Sequence, residues 1–158
     1  MKKLISMTMA LVMVMTFSAC GSSGSSSTDP FAMLTPGLTR NDIHTAYGKP
    51  APANASYNND TYEVEFLGET VDLDLYYSDN RQVYEADFSY YQSSNSMSAF
   101  TFAEKVNTYY TKQYGDPLLL GLSADVMFLE WEREDGATIT MSIPSEDDTF
   151  FHVMFEFN

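Results

Sequence analysis

A single cysteine, Cys20, stands in 158 residues. That excludes an intramolecular disulfide framework and a cysteine-based zinc site. Cations are scarce too: 8 Lys and Arg face 22 Asp and Glu, for a net charge of −14. Such a chain repels phosphates, so neither nucleic acid nor an anionic lipid surface is expected as a partner. Histidine occurs only at His44 and His152. No Gly-x-Ser-x-Gly elbow, His-Glu-x-x-His pair, phosphate-cradling glycine loop or EF-hand spacing is present. What the chain does have is aromatic side chains, 15% of its residues. Disordered sequences carry far fewer, so a buried core is expected.

The first twenty residues read as an address. Lys2 and Lys3 precede a mostly apolar run from Leu4 to Phe17, followed by Ser18, Ala19 and Cys20. The run is too short to span about 30 Å of hydrocarbon and suits a signal-peptide core. Phe17-Ser18-Ala19-Cys20 resembles the bacterial lipobox, with Phe17 where Leu is usual. The resemblance implies cleavage before Cys20 and attachment of a diacylglyceryl group to its thiol. The chain would then sit on the extracytoplasmic face of the cell membrane, as at a Gram-positive surface. Two acyl chains anchor stably where one is marginal. Losing residues 1–19 removes Lys2 and Lys3 and no acid, which deepens the negative charge by two. Gly21 to Thr28 is a Ser/Gly tether by composition.

Globular structure is expected from Leu38. Thr39 and Asp42 form a capping-box pattern, and a short helix would run to Tyr47 before Gly48 and Pro50. Three period-two runs follow: Tyr62 to Phe66, Val71 to Tyr77, and Val83 to Tyr91. The pattern then restarts, with Thr101 capping a helix from Phe102 to Tyr114. That helix shows an apolar stripe of Phe102, Val106, Tyr109 and Tyr110. Tyr114-Gly115-Asp116-Pro117 repeats Tyr47-Gly48-Lys49-Pro50, and Trp131, Ile139 and Phe155 fall at nearly the same offset from Val64, Leu73 and Phe88. An internal duplication is expected. The fold class is then α+β, with two tandem αβββ repeats forming an antiparallel sheet and helices packed on one face. The expected divisions are a signal peptide over 1–19, the lipidated Cys20 and tether over 20–37, a first repeat over 38–92 and a second over 93–158.

Tandem units with a Tyr-Gly-x-Pro helix end and an antiparallel meander resemble the beta-lactamase-inhibitor-protein-like architecture. That group includes the outer-membrane-assembly lipoproteins of the SmpA/OmlA type. Residues 38–50 carry most of the likeness, which implies a binding role rather than a reaction.

Alternation sends one set of carboxylates to the face opposite the apolar residues: Glu63, Glu65, Asp72, Asp74, Glu85, Asp87, Glu130, Glu132 and Glu156. Tyr76, Val83, Tyr91, Phe128, Phe150, His152 and Met154 share that parity, whereas Tyr84 falls with Ala86, Phe88 and Tyr90 on the inward one. Arg133 also falls inward. Glycosidase-type chemistry needs one carboxyl desolvated, and outward placement in water argues against it. No catalytic or metal-ligating residue is assigned. Acids mixed with aromatics and Met suit recognition of an extracytoplasmic protein, peptide or cationic ligand, loosely held Ca²⁺ included. The expected function is a membrane-anchored, non-enzymatic binding module. The alternatives are an envelope-assembly or structural lipoprotein and a small wall-polymer hydrolase.

Overall fold

The computed structural model describes residues 29–123 and 126–157. The lipobox, Cys20 and the Ser/Gly tether lie outside them.

The first helix, α1 (Arg40–Ala46), is too short to stand on its own propensity. Both halves of its capping box are formed between Thr39 and Asp42, and Ile43 is its buried anchor. Tyr47 closes it, and Gly48 turns the chain away at φ 84°. Three strands follow: β1 (Asn59–Phe66), β2 (Glu69–Tyr77) and β3 (Val83–Tyr91). Leu67 and Gly68, both at positive φ (52° and 87°), make the two-residue turn between β1 and β2.

The second helix, α2 (Ala99–Tyr114), begins three residues before the expected Phe102. Ser98 is the residue that caps it, its hydroxyl accepting from the Thr101 N–H. Phe102, Val106 and Tyr110 are fully buried, and Tyr109 packs against the core from its margin. Gly115, at φ 90°, ends the helix. Four strands then follow: β4 (Leu118–Ser123), β5 (Val126–Glu132), β6 (Thr138–Ile143) and β7 (Phe150–Glu156).

All seven strands form one antiparallel sheet in the order β1-β2-β3-β7-β6-β5-β4. The molecule is α+β, as its periodicities indicate. The β1-β2-β3 and β5-β6-β7 meanders meet through their last strands, which pair Phe88 with Val153 and Ala86 with Phe155. Among the described residues, strand β4 has no counterpart in the first half. The core lies between the inward sheet face and the helices. Phe66, Phe102, Tyr90 and Phe151 form its aromatic centre, with Tyr90 and Phe102 only 4.4 Å apart.

The fold also starts before Leu38, which corrects the assignment of residues 20–37 to a tether. Phe31 and Leu34 are fully buried. The Phe31 ring lies 5.4 Å from Phe88 and 5.3 Å from Phe155. Asp29 creates the turn by accepting from the Phe31 N–H, the local hydrogen bond that Asp commonly supplies. Arg133, inward as expected, holds this segment by donating to the carbonyls of Phe31 and Leu34, both at 3.1 Å.

A second correction concerns β3. Val83 is buried and Tyr84 is exposed, the reverse of the expected parity. The register explains it: Tyr76 pairs with Glu85 but Tyr77 with Val83, leaving Tyr84 as an extra residue. One inserted residue flips every side chain on its far side.

Candidate functional site

The outward sheet face carries the expected acids, and none of the seven strands contains Lys or Arg. Strand pairing decides which acids meet. Glu63 of β1 lies directly opposite Asp72 of β2, Asp74 of β2 opposite Asp87 of β3, and Glu85 of β3 opposite Glu156 of β7. Cross-strand neighbours on one face sit about 5 Å apart, where like charges repel. Tyr76 stands opposite Glu85, its hydroxyl donating to Asp87 at 3.3 Å. Asp74 accepts from Asn59 Nδ2 at 3.2 Å and from the Thr61 hydroxyl.

The electrostatics follow from this pairing. Partial burial, then the Asp74 charge, push the Asp87 carboxyl up to about 6, against the weaker opposing effect of the Tyr76 hydrogen bond. Burial raises Asp72 as well, with Glu63 and Asp74 adding to the shift. Glu85 is raised by burial and by Glu156. The Tyr76 phenol goes up to about 12 through burial and the surrounding carboxylates. His152, half-buried, has its pKa lowered by desolvation, so it brings no cation to the face at neutral pH. The acids are therefore not fully solvated, contrary to the expectation for outward residues. Tyr76 and Met154, beside Asp87 on β2 and β7, are bulky enough to exclude part of its water.

The expected residues do not form one uniform surface. Glu63, Asp72, Asp74, Tyr76, Glu85 and Asp87 are gathered on β1 to β3, with Met154 and His152 beside them on β7. Glu65, also outward, faces Thr70 rather than another acid. Phe128, Glu130 and Glu132 share the face but lie on β5. Strands β7 and β6 separate β5 from β3, which puts Glu130 three strand steps, about 14 Å, from Asp87. Thr138 and Thr140 of β6 stand between. At the other end of the face, Tyr91 and Phe150 pair with rings 5.0 Å apart, and His152 stacks on Phe150 at 6.0 Å.

Three acids escape the sequence pattern because they are inward. Asp60 is completely buried. Arg40 donates to it from Nε at 2.9 Å and from Nη2, Tyr77 donates at 3.0 Å, and His44 Nε2 lies 2.9 Å away. Burial alone would raise Asp60, but these hydrogen bonds and the Arg40 charge hold it below the usual carboxylate range. Glu69 is buried as well; the Ser96 N–H and hydroxyl, aided by Lys105, outweigh burial and lower it. Asp29 is raised by burial, with Phe31 N–H and the Tyr110 hydroxyl as its hydrogen-bond donors. The one signal for Asp60 is parity. The strand starts at Asn59, and Asp60 shares the inward side with Tyr62 and Phe66.

Among the described residues, no three His, Cys, Asp or Glu are grouped to hold a metal ion. None of their helices is long and apolar enough to cross a membrane. A cavity of about 50 Å³ lies elsewhere, between α2 and β5–β6, lined by Ala103, Leu129 and Met141.

No family model matches the chain, and no curated protein matches it. Among solved structures, it is similar to a DUF4309 family protein, YjgB, from Bacillus subtilis. The two are 17% identical with a TM-score of 0.46, over 76% of this chain and 78% of that one.

Proposed function

We propose that the protein is a lipid-anchored extracytoplasmic lipoprotein whose acidic outer sheet face binds a cationic protein or peptide segment. The observation that carries this reading is the like-charge pairing of Glu63 with Asp72, Asp74 with Asp87, and Glu85 with Glu156 on strands devoid of Lys and Arg. A face meant only to be solvated gains nothing from opposed acids. A cationic partner removes their repulsion on binding, and the same charge speeds encounter. Tyr76, Met154 and His152 supply adaptable contact area beside the acids. The resemblance of residues 38–50 to the beta-lactamase-inhibitor-protein-like group points the same way. The lipobox at Phe17–Cys20 supplies the location.

The test is titration with a lysine-rich peptide at two salt concentrations. Asp72→Asn with Asp87→Asn should weaken binding by about tenfold, or about 1.4 kcal/mol, with a shallower salt dependence. Equal affinity for both chains would overturn the assigned face. The anchor is tested separately: fatty-acid labelling should vanish in Cys20→Ala.

One observation favours a second reading, a wall-polymer hydrolase. Asp87, raised to about 6, faces the Asp74 carboxyl directly, an arrangement that suits an acid–base pair. Turnover of purified cell wall, lost in Asp87→Asn, would support it.

A further inference from the structure

The molecule is electrically two-sided. The outward positions of the seven strands hold nine acids and no Lys or Arg. The two α-helices and the residues just past them hold Arg40, Lys49, Lys105 and Lys112 against Asp42, Glu104 and Asp116. Arg40 is occupied by the buried Asp60, so the lysines supply the accessible positive charge on this side. Lys105 and Lys112 sit two turns apart on α2, about 10 Å along its axis, and both are exposed. They line an open groove of about 670 Å³ with Glu104, Thr108, Tyr109 and Leu67. Neither is in an ion pair with a described residue, and Lys105 acts on the buried Glu69 only at longer range.

The segment that opens the fold lies on this same side. Asp29 accepts from the Tyr110 hydroxyl of α2 at 3.0 Å. Phe31 packs on Phe88 and Phe155, inward residues of the paired strands β3 and β7 near the middle of the sheet. We propose that the α2 side, through Lys105 and Lys112, faces the anionic phospholipid headgroups of the bilayer, so that the acidic sheet face points away from it. The proposal rests on the lipid anchor at Cys20 proposed above.

Cys20 precedes Asp29 by nine residues, which span at most about 32 Å of chain. An anchored fold is therefore held close to the bilayer whatever its net charge. The net charge opposes free binding to an anionic surface, but the anchor offsets that opposition, and electrostatics is left to choose the orientation. The surface potential decays over about 8 Å at physiological salt, so the face nearest the headgroups dominates. Presenting the sheet face would set nine acids against lipid phosphates. Presenting α2 sets two lysines there, with Glu104 as the opposing charge in the groove. It also moves the acids farther off by a helix diameter, about 10 Å. Asp42 caps α1 and Asp116 lies past the end of α2, both outside the groove. Long lysine stems and the Tyr109 ring suit headgroup depth, where an apolar body and a polar tip are both accommodated. The same orientation leaves the acidic face open to its partner.

The test uses the full lipidated chain in vesicles of phosphatidylcholine, alone or mixed with phosphatidylglycerol. Cys20 is blocked by its lipid, so Thr108→Cys on α2 and, separately, Thr140→Cys on the outward sheet face each take one thiol-reactive fluorophore. Acrylamide should quench the Thr108 probe about twofold less on phosphatidylglycerol vesicles than on phosphatidylcholine ones, and the Thr140 probe equally on both. The difference at Thr108 should shrink with Lys105→Glu and Lys112→Glu, whose exposed side chains leave the fold intact, and again in high salt. A Thr108 probe equally open on both vesicles, shielding at Thr140 in its place, or a difference untouched by the lysine substitutions would overturn the proposal and leave the anchor standing. A chain that takes up no fatty acid would overturn both.

Discussion

The acids on the two sides of the sheet live under opposite rules. Inward, Asp60 receives Arg40, Tyr77 and His44, and Glu69 receives both polar groups of Ser96. Both end below the ordinary carboxylate range despite their burial. Outward, Asp72, Glu85 and Asp87 are raised by burial first, and the acids beside them add to the shift instead of offsetting it. Burial alone therefore does not set the charge state; the partner does. Asp29 marks the boundary between these cases. Its hydrogen-bond donors are neutral, Phe31 N–H and the Tyr110 hydroxyl, and its pKa stays raised. The inner acids tie α1 and the loop before α2 to the sheet. The outer acids receive only neutral donors, Asn59 and Thr61 on Asp74 and Tyr76 on Asp87, and face one another across the strands.

The largest break in this comparison should come from Asp60→Asn. Removing one member of a buried charged network leaves Arg40 uncompensated and should cost about 3 kcal/mol in denaturant unfolding. The pH dependence has a defined sign. Asp60 is lowered in the fold, so its contribution is present above its ordinary value of 3.8 and lost as pH falls through its folded pKa. Glu69→Gln should cost about 1.5 kcal/mol, since it weakens two hydrogen bonds to a charged group.

On the outer face the sign reverses. Asp87→Asn should stabilise the chain at neutral pH by about 0.5 kcal/mol, by removing the repulsion from Asp74. Asp87 is raised in the fold, so its protonation favours the folded state. Wild-type melting temperature should therefore gain a component as pH falls from 7 through about 6 toward 3.8, and Asp87→Asn should lack it. The smallest effect is expected at Glu65→Gln, within about 0.5 kcal/mol, because Glu65 is exposed and faces Thr70. A gain at Glu65→Gln as large as that at Asp87→Asn would mean that net charge matters and pairing does not.

Much of this was legible in alternation. The runs at Tyr62–Phe66, Val71–Tyr77 and Val83–Tyr91 are strands, and Glu63, Asp72, Asp74 and Asp87 point outward as period two requires. Which acids oppose which was not legible, since register depends on turns such as Leu67-Gly68 and on the extra residue at Tyr84. That same insertion reversed Val83 and Tyr84. Phe31 and Leu34 were hidden because two apolar residues in a short segment show no periodicity, and the segment is held by Arg133, about a hundred residues away. Asp60 was hidden because its partner Arg40 lies on a different element. Strand β4 was missed because Leu118-Leu119-Leu120-Gly121 shows no alternation at all.

The most direct measurement is a residue-resolved NMR titration of the Asp87 carboxyl. It should titrate near 6 in the wild-type chain and move down in Asp74→Asn. An Asp87 that titrates in the ordinary carboxylate range and ignores Asp74→Asn would contradict the reading of the outer face as unrelieved like charge.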